Sequence, residues 1–152
     1  MKRSTAVPSE PGSLASTLRA SGLRATGPRL VILEALLGDT SHPTPEALHG
    51  QLRAQQPSLS LSTVYQTLEA FVKVGLCRRV NAGDSRLRVD GTARDHDHAL
   101  CRSCGRIFDV PRTSRGDLAG DASLPGHLTL VDVRVEYDVV CAACGRPGDA
   151  GG

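Results

Sequence analysis

No stretch of this 152-residue chain is apolar for long enough to span a bilayer. Its charged start, Met1-Lys2-Arg3, runs into Ser, Pro and Glu and lacks the apolar core of an export signal. Both absences point to a soluble, cytoplasmic protein. Cysteine is scarce too: there are five, an odd count, so a disulfide framework accounts for them poorly. Nor is there a strong excess of charge, since 18 Lys and Arg face 16 Asp and Glu. The length suffices for one or two small domains with a real core, and falls short of a large enzyme fold.

Four of the cysteines form two Cys-x-x-Cys knuckles, Cys101/Cys104 and Cys141/Cys144, separated by 36 residues. Two pairs of thiolates suit one tetrahedral, structural Zn²⁺ and leave no open position for chemistry. The gap exceeds that of the usual zinc ribbon, but a strand pair and a return strand would close it. Cys77 stands apart at the start of an extended run and reads as a small buried apolar residue. Just before the first knuckle lies Asp95-His96-Asp97-His98. On a strand His96 and His98 share one face, with Asp95 and Asp97 on the other. Asp90 and Asp109 flank this run and offer carboxylates for an N/O site, which suits Mn²⁺ or Fe²⁺ better than a thiolate set does. His49 and His127 belong to no such constellation and read as surface residues.

The charge is unevenly placed. Residues 1–90 hold 11 basic and 7 acidic residues, whereas residues 91–152 hold 7 and 9. The division predicts a disordered tail over 1–12, a first domain over 13–90, a metal-binding second domain over 91–146 and a disordered tail over 147–152. In the first domain a short helix over 14–21 ends at Gly22. Thr26 caps a second helix carrying Leu30, Leu33, Leu36 and Leu37. Thr44 caps a third, with Pro45 at its first position, that runs to Pro57. Ser60 or Ser62 caps a fourth, which reaches Gly75. Its buried face holds Val64, Leu68, Phe71 and Val72, and Thr63, Gln66 and Thr67 face outward. Extended runs over 76–80 and 87–89, joined by Asn81-Ala82-Gly83-Asp84, predict a hairpin. The whole is an α+β protein whose first half has the order of a winged helix-turn-helix. The second half predicts strands at 99–100 and 106–110, a short or frayed helix within 112–126, and a long alternating strand over 128–140. Leu128, Leu130, Val131, Val133, Val135, Tyr137 and Val139 make that strand so apolar that burying it calls for a partner chain.

Taken together, Arg24-x-Thr26-x-x-Arg29, His42-Pro43-Thr44, Ser62-Thr63-Val64-Tyr65-Gln66-Thr67-Leu68, Gly75-Leu76, Asp90, His96-Asp97-His98 and both knuckles resemble the ferric uptake regulator superfamily over residues 18–145. The order of ligands lies nearest its peroxide- and manganese-responsive branch. The resemblance implies a homodimeric, metal-dependent repressor with an N-terminal winged helix and a C-terminal dimerisation domain, binding palindromic DNA operators. It implies a regulatory Mn²⁺ or Fe²⁺ held by His42, Asp90, His96, His98 and Asp109, with peroxide oxidising a ligating His when the ion is Fe²⁺. DNA contacts would fall to Arg24 and Arg29 on phosphates, and to Ser62, Thr63, Tyr65 and Gln66 at the start of the fourth helix. Gln pairs with adenine and Tyr or Thr touches a thymine methyl, so an A·T-rich operator follows. A zinc- or iron-responsive repressor of the same family is the alternative, followed by a zinc-ribbon adaptor. A zinc enzyme, which needs a three-ligand zinc with an open position and a general base, is a further rival, and the deaminase pattern of His-x-Glu with Pro-Cys-x-x-Cys is absent.

Overall fold

The computed structural model describes residues 13–81, 86–92, 96–112, 123–131 and 133–145. The chain divides into two compact units, Met1–Arg94 and Asp95–Gly152. Four helices open the first: α1 (Leu14–Ala20), α2 (Gly27–Leu37), α3 (Pro45–Leu52) and α4 (Leu61–Val74). A two-stranded antiparallel ribbon follows, β1 (Arg78–Val80) and β2 (Arg88–Asp90), with Arg79 opposite Val89. The ribbon's turn at 82–85 lies outside the described residues.

Local chemistry explains most helix ends. Thr44 Oγ1 accepts the Ala47 N–H at 3.2 Å and Ser60 Oγ accepts the Thr63 N–H at 3.1 Å, so each satisfies a donor the helix itself cannot. Thr26 holds the cap position of α2 without a side-chain bond, and Pro28 in the first turn starts that helix instead. At the far end of α4, Gly75 takes φ +79°. Its N–H donates to Val72 O at 3.2 Å and the Leu76 N–H donates to Phe71 O at 2.9 Å, a Schellman ending that folds Leu76 back onto the core.

Leu18, Ile32, Leu33, Leu36, Leu48, Val64, Leu68, Phe71 and Val89 are fully buried together. Val89 also donates its N–H to Pro43 O at 3.2 Å, which ties the ribbon to the turn before α3. Several expectations need correction. Helix α3 stops at Leu52, five residues before Pro57, where Gln55 and Gln56 both turn their N–H groups to Leu52 O. Leu37 is exposed and Ile32 takes the inward place, since the helix turns its 3.6-residue stripe past Leu37. Thr67 is buried beside Leu68, because the packed face of α4 is one residue wider than its apolar letters show. His49 is half-buried, with Nε2 hydrogen-bonded to Leu59 O at 2.8 Å, and so fastens the connection between α3 and α4.

The second unit is a three-stranded sheet in the order β4-β3-β5, formed by β3 (His96–Cys101), β4 (Ile107–Pro111) and β5 (Glu136–Val139). Strand β3 is central, antiparallel to β4 and parallel to β5. Asp97, Ala99 and Cys101 point to its buried face. The expected strand over 128–140 is real only over its last third. Among the described residues of that stretch, only Glu136–Val139 pair with β3, beginning with Glu136 opposite His98. Residues 123–131 form no helix, and the helix expected within 112–126 falls mostly on residues outside the description. The two terminal tails also fall outside it. Among the described residues, no helix is long and apolar enough to cross a membrane.

Candidate metal centres and nucleic-acid interface

The sheet of the second unit positions both metal-ligand clusters. At one end of β3, Cys101 opens a tight turn in which Gly105, at φ +69°, returns its N–H to Cys101 O at 2.8 Å. A matching turn places the Cys144 N–H on Cys141 O at 2.8 Å. Arg102 N–H donates to Val139 O at 2.9 Å, which lines up the two knuckles across β3 and β5. The four sulfurs then lie within 4.8 Å of one another, with Cys104 Sγ and Cys141 Sγ 3.8 Å apart. Four Zn–S bonds of about 2.3 Å in a tetrahedron require S···S edges of ~3.8 Å, so this donor set fits Zn²⁺.

The same backbone geometry tunes the thiols. N–H groups of Cys141 and Cys104 hold the Cys101 thiol down at about 6, the first through a 3.3 Å bond to its sulfur. Arg106 pulls Cys104 below the usual thiol range. Hydrogen bonds with the sulfurs of Cys141 and Cys104 push Cys144 up to about 12. Cys77 is a different case. Burial raises it to about 12, as the apolar reading of that residue predicts, and Asp90 adds to the shift.

At the other end of β3 a second cluster forms by strand register. His98 and Asp109 are cross-strand partners, and His96 lies two residues away on the same face. His96 Nε2 is 3.1 Å from His98 Nε2, and Asp109 Oδ1 lies 3.4 Å and 3.9 Å from the two rings. Metal–ligand bonds of about 2.1 Å place neighbouring donor atoms roughly 3.0–3.4 Å apart. Two of the three separations match that spacing and the third, His98 to Asp109, is about half an ångström longer, so a small closure of the Asp109 side chain would suit the cluster to a divalent ion with N and O ligands. Asp97 faces the other way and is buried against Arg112, whose Nη2 donates to its Oδ1 at 3.3 Å. In the first unit His42 is buried with φ +56°, a left-handed backbone that non-glycine residues seldom adopt. Asp90 is buried in the same unit, and its Oδ1 accepts the Thr92 N–H at 2.8 Å.

On α4, Ser62 and Gln66 are exposed and Thr63 is half-exposed, its Oγ1 2.8 Å from Ser60 Oγ. Tyr65 donates its hydroxyl to Glu46 Oε1 on α3 at 2.6 Å. That bond holds Glu46 below the usual carboxylate range and raises Tyr65. Arg24 is exposed, and Arg29 donates to its carbonyl at 3.1 Å. Sequence reasoning missed Glu46 as the partner of Tyr65, and missed Arg106 beside the sulfurs. A cation one residue past Cys-x-x-Cys-Gly is the signal that would have found the latter.

Capped helices closed by a ribbon set the class of the first unit as a winged helix-turn-helix, and the small sheet of the second unit carries two metal-ligand clusters. The description "Ferric uptake regulator family" matches residues 20–138, and the chain belongs to that family. It is 34% identical over 133 residues to the peroxide operon regulator of Bacillus subtilis, covering 86% of this chain and 90% of that protein. It is 33% identical over 137 residues to the peroxide-responsive repressor PerR of Staphylococcus epidermidis, covering 88% and 89%. The structure of the Helicobacter pylori ferric uptake regulator Fur superposes with a TM-score of 0.72 at 23% identity, covering 95% of this chain and 97% of that one, which establishes the fold.

Proposed function

We propose that this protein is a homodimeric, metal-dependent repressor of metal-homeostasis or peroxide-stress genes, responsive to Mn²⁺ or Fe²⁺. Cys101, Cys104, Cys141 and Cys144 hold one structural Zn²⁺ per chain. His42, Asp90, His96, His98 and Asp109 are the regulatory ligands. Bound there, a divalent ion supplies the positive centre on which these N and O donors converge. The observation that carries this reading is the His96–His98–Asp109 cluster, built on the same sheet as the thiols yet chemically unlike them. The identity with peroxide-responsive repressors supports the stress-gene assignment. Exposed Leu128, Val131 and Val140 support a second chain as partner.

In this reading Arg24 and Arg29 contact phosphates, whereas Ser62, Thr63, Tyr65 and Gln66 face the bases of a palindromic, A·T-rich duplex. A regulatory ion shifts the population toward the DNA-binding form only by its differential affinity, for which about 5–150-fold is typical. The test is a titration of zinc-loaded protein with Mn²⁺, Fe²⁺ and further Zn²⁺ against its own promoter DNA. Mn²⁺ or Fe²⁺ should tighten operator binding within that range. DNA affinity indifferent to all three ions would reject metal dependence, and a response to Zn²⁺ alone would reassign the protein as a zinc sensor.

A further inference from the structure

Arg106 follows the first knuckle with only Gly105 between, and its carbonyl accepts the Cys101 N–H at 2.9 Å. Its side chain folds back over the sulfurs. Nε donates to Cys104 Sγ at 3.4 Å and Nη2 donates to Cys141 Sγ at 3.3 Å. These acceptors belong to different knuckles, so one rigid guanidinium spans the junction between them. The Arg106 guanidinium carbon also lies 5.7 Å from the centroid of the Phe108 ring, a cation–π distance that fixes the side chain further. Nearby Arg102 behaves differently: it donates to Asp138 at 2.5 Å and, among the described residues, makes no side-chain hydrogen bond to sulfur.

Four thiolates around one Zn²⁺ leave a net charge of −2 on the site, and each zinc-bound sulfur keeps lone pairs that accept N–H donors. Arginine is matched to this task. Its fork is planar, it presents several donors at fixed spacing, and it stays charged at any working pH. Lysine would offer a point charge without the span. We propose that Arg106 is a positioning residue of the four-cysteine site, holding one thiolate of each knuckle and thereby slowing zinc release. The proposal rests on the structural-zinc reading above. Donation to sulfur draws charge off the thiolates and makes them poorer targets for a competing acid, while the two-knuckle span resists their separation.

The experiment compares wild type, Arg106→Lys, Arg106→Ala and, as control, Arg102→Ala in the full-length protein. Zinc content is measured by elemental analysis, and zinc transfer to a chromogenic chelator is followed in time. All four should start with one zinc per chain. Arg106→Ala should transfer it about 10–100-fold faster, the scale usual for outer partners of metal ligands. Arg106→Lys should fall between, and Arg102→Ala should match wild type. In the Co²⁺-substituted protein the sulfur-to-metal charge-transfer band should move to lower energy in Arg106→Ala, because sulfur lone pairs lose a stabilising donor. A change in general folding would not move that band. Wild type lacking zinc overturns the zinc reading itself. Wild type with zinc, and Arg106 variants with its transfer rate and band position, overturn the role of Arg106 alone. If Arg106→Ala does not fold, Arg106→Lys decides by the same two readouts.

Discussion

Tyr65, in the second turn of α4, has its phenol already engaged. A hydroxyl donating to a carboxylate at 2.6 Å is a charge-assisted bond, and here it joins the two helices of the helix-turn-helix. The bond favours ionised Glu46, which is why the Glu46 carboxyl lies below its usual range. A depressed carboxylate contributes stability above its unfolded value and loses it as pH falls through the lower folded value. Both side chains are solvent-facing, so the effect on stability is small and the titration itself is the better readout. In Tyr65→Phe, the Glu46 midpoint followed by NMR should rise toward the usual carboxylate range, because the largest of the groups holding it down is gone. A midpoint unmoved by the substitution would mean that the bond does not exist in solution. Position along α4 was enough to nominate Tyr65 as a DNA-facing residue. Its partner was hidden, since which α3 residue meets α4 depends on how the two helices cross, and no spacing along the chain encodes that.

Among the described glycines, Gly91, just past the end of β2, lies tightest against its surroundings, here the last turn of α2. A Cβ there would come within 2.8 Å of Leu36 Cγ and 3.0 Å of Leu36 O. Leu36 is fully buried and cannot swing away, and the oxygen belongs to the backbone. Gly91→Ala should therefore destabilise the first unit by about 1–3 kcal/mol, the usual scale of overpacking. Urea unfolding checks this, and a wild-type midpoint would show that β2 can lift off α2 freely. The starts of α3 and α4 were legible because Thr44 and Ser60 act locally, and the end of α4 because Gly75 does. The end of α3 was not: nothing in Arg53-Ala54-Gln55-Gln56 forbids a helix, and the chain leaves it in order to set Leu59 in the core. The strand after residue 128 was overread for a similar reason. Alternation shows which faces a strand would have, but only a paired neighbour makes it one, and among the described residues pairing with β3 starts at Glu136.

For the molecule as a whole, the arrangement of β3 gives the two metal clusters unequal standing. Cys101 sits at the end of β3 where β5 pairs, opposite Val139, and His96 sits at the other end opposite Pro111 on β4. The sulfur cluster joins the first knuckle to the chain that returns through β5, so its binding energy is also folding energy for the sheet. In the second unit the histidine cluster takes His96, His98 and Asp109 from β3 and β4, which one local register already holds together. Removing the sulfur site should disable both clusters, whereas removing the histidine site should disable one. Cys101→Ser is thus expected to lose its one zinc per chain, its cooperative thermal transition and its metal-dependent DNA binding together. His96→Ala should keep the zinc and the transition and lose only the enhancement of DNA binding by Mn²⁺ or Fe²⁺. Elemental analysis, calorimetry and DNA-binding titrations on the two variants read all three properties. A folded, zinc-free Cys101→Ser protein that still answers Mn²⁺ would remove the hierarchy, and a His96→Ala protein with an unaltered metal requirement would place the regulatory site elsewhere.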